Sequence, residues 1–288
     1  MRARGTGQEA PPRPLPLAPS PVPLSVLALS PHLDDAAFSA GGTLAAFAQG
    51  GAAVTVATVF TRSHPAPTGF ALQCQTDKGI APDVDYLALR REEDRAACAA
   101  LGADPVWLDL PEAPHRGYGS PEALFAGVHD GDRRTWRDVL DRLRALAAAR
   151  PLDLVLTCQG LGGHVDHAHV VRAAAAFADG AGVPVAWWRD TPYAIRQPTA
   201  PPDASLPAGL SETAVPVGGA ALDAKLDACA AYATQITYQF GRDADGPPEA
   251  ATRARLVAFA AAEGVRTGAG RPCEAFAVAD AGVLADVR

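Results

Sequence analysis

The stretch Leu24–Gly42, LSVLALSPHLDDAAFSAGG, constrains this chain more than any other segment. Its apolar start, Leu24–Leu29, has the length and composition of a buried parallel strand, closed by Ser30 and Pro31. His32, Asp34 and Asp35 follow at once, and small residues with Gly41 and Gly42 then open a helix. In an open α/β sheet, ligands sit in the crevice beyond the carboxyl ends of the strands. An imidazole and two carboxylates placed there can bind a divalent metal and leave one carboxylate free as a base. The same residues also suit a plain turn with Asp35 capping the helix. This segment alone leaves both readings open.

A second cluster shifts the balance. Leu152–Cys158 (LDLVLTC) is another buried-strand run, and the glycine-rich loop after it ends in GGHVDHAHV, with His164, Asp166, His167 and His169. Four of the seven histidines fall in these two loops. One such loop fits a solvated surface turn. Two, each directly after a predicted parallel strand, point to a metal.

Between and beyond these loops, strand and helix signals alternate. Ala53–Phe60 reads as a second strand after a helix over Gly42–Gln49. A helix near Leu87–Leu101 leads to a strand at Pro105–Leu110, and a helix at Arg133–Ala149 precedes the strand at Leu152. Strand-like runs at Val183–Trp188 and Ala214–Val217 and helices near Leu222–Thr234 and Thr252–Ala262 follow. This order predicts a Rossmann-like, doubly wound, mostly parallel α/β sheet. With 288 residues, 48% of them hydrophobic, residues 24–288 suffice for one catalytic domain. Residues 1–23 are proline-rich and aperiodic, the pattern of a disordered or draped tail. Thr61–Tyr86 is longer than a simple connection needs and carries Phe70, Cys74 and Lys78. It reads as a lid or as an inert surface insertion.

Composition excludes several functions. A net charge of −7 and no basic patch argue against nucleic acid. Aromatic residues make up 6%, too few for base-stacking platforms. The turn after the first strand has carboxylates where a dinucleotide site needs glycines, and no phosphate-loop motif occurs. No run is long enough for a membrane span, and no apolar stretch of signal-peptide length precedes the prolines. The five cysteines, Cys74, Cys98, Cys158, Cys229 and Cys273, form no CxxC pair and read as small buried hydrophobes, with Cys74 the candidate for reactivity. A cytoplasmic protein is expected; the oligomeric state is left open.

PHLDD followed by small residues and GG, paired with GHVDH after a later strand, resembles the PIG-L/LmbE family of zinc-dependent de-N-acetylases. Leu33 stands where the family usually has proline, which leaves the ligands untouched. LRREEDRAACAALG (Leu89–Gly102) resembles the family's helix with an arginine three residues before a glutamate. KLDACAAYATQ (Lys225–Gln235) resembles its late helix. GHVDH also reproduces half of the metallo-β-lactamase motif, but Gly162 stands where that motif needs its first histidine, and His32, Asp34 and Asp35 would have no use there.

The resemblance assigns the metal ligands to His32, Asp35 and His167, with one zinc ion bound, and leaves Asp34 as an unligated base. Zinc with three protein ligands and an open position activates water and polarises a carbonyl. His164 would then stabilise the oxyanion in its protonated form, or give a proton to nitrogen. Asp166 would orient His164, and His169 would lie on the helix face. The alternatives are a polar surface position for His164, a helix N-cap for Asp166 and a fourth metal ligand for His169. Arg90 matches the family arginine that reaches substrate oxygens; otherwise it pairs with Asp94. His115, Arg116 and Tyr118 are candidates to line a sugar site. Trp187 and Trp188 are core or a sugar-stacking wall. Family members often carry a tyrosine at the position of Gly162, so help from a tyrosine there is not expected. The implied activity is removal of an N-acyl group from an amino sugar, such as N-acetylglucosamine, or a small glycoconjugate, in secondary metabolism. An amidase acting on a thiol conjugate or another acyl amide would share the chemistry. A non-catalytic metal-binding protein would have no use for Asp34.

Overall fold

The computed structural model describes residues 23–241 and 247–285. The tail expected at residues 1–23 lies outside them except for Pro23. The strands are β1 (Ser25–Ser30), β2 (Ala53–Phe60), β3 (Asp104–Leu110), β4 (Leu154–Cys158), β5 (Val185–Trp188), β6 (Ser211–Pro216) and β7 (Cys273–Val278). The helices are α1 (Asp35–Gln49), α2 (Gly69–Thr76), α3 (Tyr86–Leu101), α4 (Thr135–Ala149), α5 (Val165–Ala181), α6 (Tyr193–Arg196), α7 (Gly219–Ala231), α8 (Ala233–Phe240) and α9 (Pro248–Arg266).

The strands form one sheet in the order β3–β2–β1–β4–β5–β7–β6. β1 to β5 run parallel, and Val26 of β1 registers with Val54 on one side and Leu154 on the other. β1 and β4 are buried on both faces, which is why their sequences are continuous apolar runs. The chain winds outward from β1 toward β3, then restarts at β4 beside β1 and winds the other way. The crevice between β1 and β4 is the topological switch point, and both histidine-bearing loops open into it.

Three differences from the sequence reading have physical causes. β7, absent from that reading, runs antiparallel between β5 and β6. Its Glu274 breaks the apolar pattern, yet it is buried, with Lys225 Nζ at 2.6 Å and the Thr43 amide at 2.8 Å. α1 starts at Asp35 and contains the two glycines. A Cβ on Gly42 would lie 2.7 Å from Val217 Cγ1, so that glycine permits close packing. Thr61–Tyr86 is not all loop, because α2 forms within it. Trp187 and Trp188 are core, 1% and 0% exposed.

Candidate active site

His32 leaves β1, Asp35 opens α1, and His167 lies in the first turn of α5. Asp35 Oδ2 is 3.2 Å from His32 Nδ1 and 3.3 Å from His167 Nε2. The three donor atoms lie within 4.8 Å of one another. Both imidazoles are tied on their outer sides: His32 Nε2 donates to Asp166 Oδ2 at 2.9 Å, and His167 Nδ1 to Asp190 Oδ1 at 2.7 Å. These bonds place the ring protons outward and turn two lone pairs toward the Asp35 carboxylate. Two lone pairs and an anion converge only around positive charge. His167 Nε2 is buried and makes no hydrogen bond. The donor set therefore fits a divalent metal ion.

The electrostatics agree. Burial opposes charge on His32, but its bonds to Asp166 and Asp35 outweigh that and hold its pKa up at about 9. Burial likewise opposes charge on His167, yet Asp35 and Asp190 raise it well above the usual histidine value. Against its own burial, Asp35 is held well below the carboxylate range, chiefly by His167. This field holds cations, whether a proton or a metal.

Asp34 stands apart from the trio. Its Oδ2 is 3.3 Å from Arg90 Nη2, and burial pushes its carboxyl up to about 7 against the pull of Arg90. Its backbone has φ 156° and ψ −33°, a conformation rare for residues other than glycine. Arg90 does not pair with Asp94, which accepts from Trp107 and Tyr232 instead. Its guanidinium donates to Glu112 Oε1 at 3.0 Å and to the Leu33 carbonyl at 2.7 Å, so it fixes the loop that carries Asp34.

Several expected roles are corrected. His164 is the N-cap of α5, its Nδ1 accepting from the Asp166 amide at 3.2 Å. Burial pushes it down to about 3, so it is a neutral ring with its proton on Nε2, a donor rather than an imidazolium. Asp166 does not orient His164 by its carboxylate. That group holds His32, the Ala113 amide and Arg116 Nη2. Arg116 and Tyr118 turn inward onto Asp132, at 3.0 Å and 2.9 Å, and do not line the pocket. His115 stacks on His64 in a neighbouring cleft, with ring centres 4.6 Å apart. His169 donates to Asp132 at 2.9 Å and is no ligand.

The pocket over these residues has a volume of about 260 Å³. Phe70, Cys74 and Lys78 of the long connection line it, with Phe125, Tyr193 and Tyr238. Burial pushes the Cys74 thiol up, away from a thiolate. A Cβ on Gly162 would sit 2.4 Å from Tyr193 Cδ1, so the ring of Tyr193 fills the space beside Gly162. It packs edge-on to His167 at 5.5 Å. Sequence reasoning missed Asp190, Glu112 and Tyr193. Asp190 had a readable signal, a carboxylate just past the end of a parallel strand.

Residues 27–178, just over half the chain, match the family described as PIG-L, GlcNAc-PI de-N-acetylase. The chain belongs to the PIG-L family. A curated relative, 2'-N-acetylparomamine deacetylase of Streptomyces fradiae, is 37% identical over 172 residues. That match spans 58% of this chain and 57% of the relative, so the chain aligns with little more than half of that protein's length. Among solved structures, the zinc-inhibited form of teicoplanin deacetylase Orf2 has TM-score 0.74 and 29% identity, covering 88% of this chain and 97% of that one. The A40926 pseudoaglycone deacetylase Dbv21 has TM-score 0.71 and 31% identity, covering 88% and 96%. Among the described residues, no helix is long and apolar enough to cross a membrane.

Proposed function

We propose that this PIG-L member is a zinc-dependent N-deacetylase acting on the N-acetyl group of an amino sugar within a small glycoconjugate of secondary metabolism. One observation carries the reading. Two imidazoles, each braced by an outer carboxylate, converge with Asp35 beside a buried carboxylate, Asp34, that joins neither. A protein that only stored metal would not need Asp34. The names of the relatives, deacetylases for 2'-N-acetylparomamine, teicoplanin and A40926 pseudoaglycone, support the substrate class.

His32, Asp35 and His167 would hold the ion. Bound there, zinc supplies Lewis acidity to the amide carbonyl and lowers the pKa of water from 15.7 to roughly 7. Water adds to the carbonyl carbon, and Asp34 takes its proton. His164 donates from Nε2 to the oxygen as it gains negative charge. Asp34 then returns the proton to the amine nitrogen as the C–N bond breaks, releasing acetate and the free amino sugar. Arg90 keeps Asp34 in place. The free cysteines, most of them buried, fit a reducing cytoplasm.

The test is acetate release from an N-acetylhexosaminide by protein loaded with zinc, cobalt or nickel in turn, since a two-imidazole, one-carboxylate site accepts each. Turnover that survives complete chelation would overturn the reading.

A further inference from the structure

The pocket carries charges of both signs, and its carboxylates are balanced within the protein. Asp34 and Glu112 share Arg90. Asp35 lies between His32 and His167, and Asp166 is held by Arg116 and His32. Each carboxylate lining the pocket thus already has a partner.

Two cations on the wall do not. Lys78, just beyond α2, donates to the Cys74 carbonyl at 2.8 Å. Its ammonium lies 5.3 Å from the ring centre of Tyr86 and 4.7 Å from that of Tyr238. Arg196, closing α6, donates through Nη2 to the Gln239 carbonyl and, at 3.2 Å, to Gln239 Oε1. Among the described residues, neither has a carboxylate within ion-pair distance. Both flank the last turn of α8, Lys78 at Tyr238 and Arg196 at the next residue. Helix capping accounts for part of each side chain. Among the described residues it leaves two of the three lysine donors, and the arginine Nε and Nη1, without a protein acceptor. Lysine occurs only twice in this chain. The other, Lys225, is buried against Glu274, so its charge is spoken for.

We infer that Lys78 and Arg196 form an anion subsite in the pocket wall, and that the substrate carries a carboxylate or phosphate on the portion beyond its N-acyl sugar. This rests on the deacetylase reading above and narrows it. Hydrogen bonds from ionised donors to an anion are roughly twice as strong as neutral ones. A cationic group in the same place would meet two like charges. The subsite therefore selects against strongly basic amino sugars.

The test uses four aryl N-acetylglucosaminides that differ only at the para position: carboxylate, phosphate, methyl ester and aminomethyl. With zinc-loaded protein, kcat/KM should rank both anions above the ester and the ester above the amine, spanning about tenfold or more. The stronger anion identifies which source the site takes. Lys78→Met and Arg196→Met should each compress that range, Lys78→Glu should invert it, and Lys78→Arg should keep it. A purely structural lysine would move the melting temperature and leave the ranking intact, which overturns the proposal. Calorimetric titration with the same compounds reads charge preference without turnover. Selective binding of the anions with no acetate release sinks the deacetylase reading and keeps the subsite. Acetate release with no charge preference does the opposite.

Discussion

Asp190 Oδ1 lies 2.7 Å from His167 Nδ1, across the ring from the nitrogen that faces Asp35. The other Asp190 oxygen accepts the Gln159 and Leu161 amides at 3.0 Å and 3.1 Å. One carboxylate past β5 thus fixes both the tautomer of His167 and the loop leading to it. Asp190→Asn keeps the shape but can present an amide nitrogen to the ring, so metal affinity should fall by about 10–100-fold. Competition with a chelator checks this, and excess zinc should restore part of the activity.

On the proposed reaction, Asp34→Asn separates base from ligand. Asp34 touches Arg90 and lies outside the trio, so the variant should keep full metal content while turnover falls by about 10²–10⁴-fold with little change in KM. His167→Ala should show the opposite order, losing metal first. Elemental analysis beside kinetics reads both, and an Asp34→Asn protein without metal would mean that Asp34 and Asp35 have exchanged roles.

The legible parts of this molecule are those whose chemistry is local in sequence. β1 and β4 are short apolar runs, and the histidines and aspartates follow them within a few residues, so strand, loop and site are read together. What was not legible depends on partners distant in sequence. Glu274 looks wrong for a buried strand until Lys225 is set beside it. Arg116 and Tyr118 look like sugar ligands until Asp132 draws both inward. The neutrality of His164 comes from burial, which no motif encodes. α2, short and without a side-chain cap, gives little periodic signal.

Asp132 should shape acid stability. Burial works against its charge, but bonds from His169, Arg116 and Thr135 outweigh this and hold the carboxyl below the ordinary range. A carboxyl more acidic in the folded than in the unfolded chain stabilises fully above about pH 4. That contribution is lost as the pH falls from there through the folded-state value. Asp132→Asn should lower stability at pH 7 and flatten its fall in acid, as read by urea unfolding at a series of pH values. Equal slopes in both proteins would exclude this role.

Gly162 and Tyr193 should be energetically coupled. Gly162 has φ +84° and no room for a Cβ against the Tyr193 ring, so Gly162→Ala suffers both backbone strain and a clash. The backbone part should cost about 1–3 kcal/mol, and the clash adds to it. Removing the ring in Gly162→Ala/Tyr193→Ala relieves the clash alone, so the double variant should be more stable than the two single losses summed, by about 0.5–3 kcal/mol of coupling. Strict additivity in urea unfolding would mean that the ring simply moves aside.

Lys225 lies in the late helix, and its contacts make it a structural rather than a catalytic residue. Its ammonium is buried 2.6 Å from Glu274, whose carboxylate also accepts the Gly42 and Thr43 amides and the Thr43 hydroxyl. Lys225→Met leaves that carboxylate buried without its cation, which should destabilise the fold by about 3–5 kcal/mol. Glu274→Gln in the same background removes the stranded charge and keeps one carbonyl oxygen for the α1 amides, so most of the loss should return. A Lys225→Met protein as stable as the parent would show that the amides of α1 already balance Glu274, and that the lysine is dispensable to the sheet it braces.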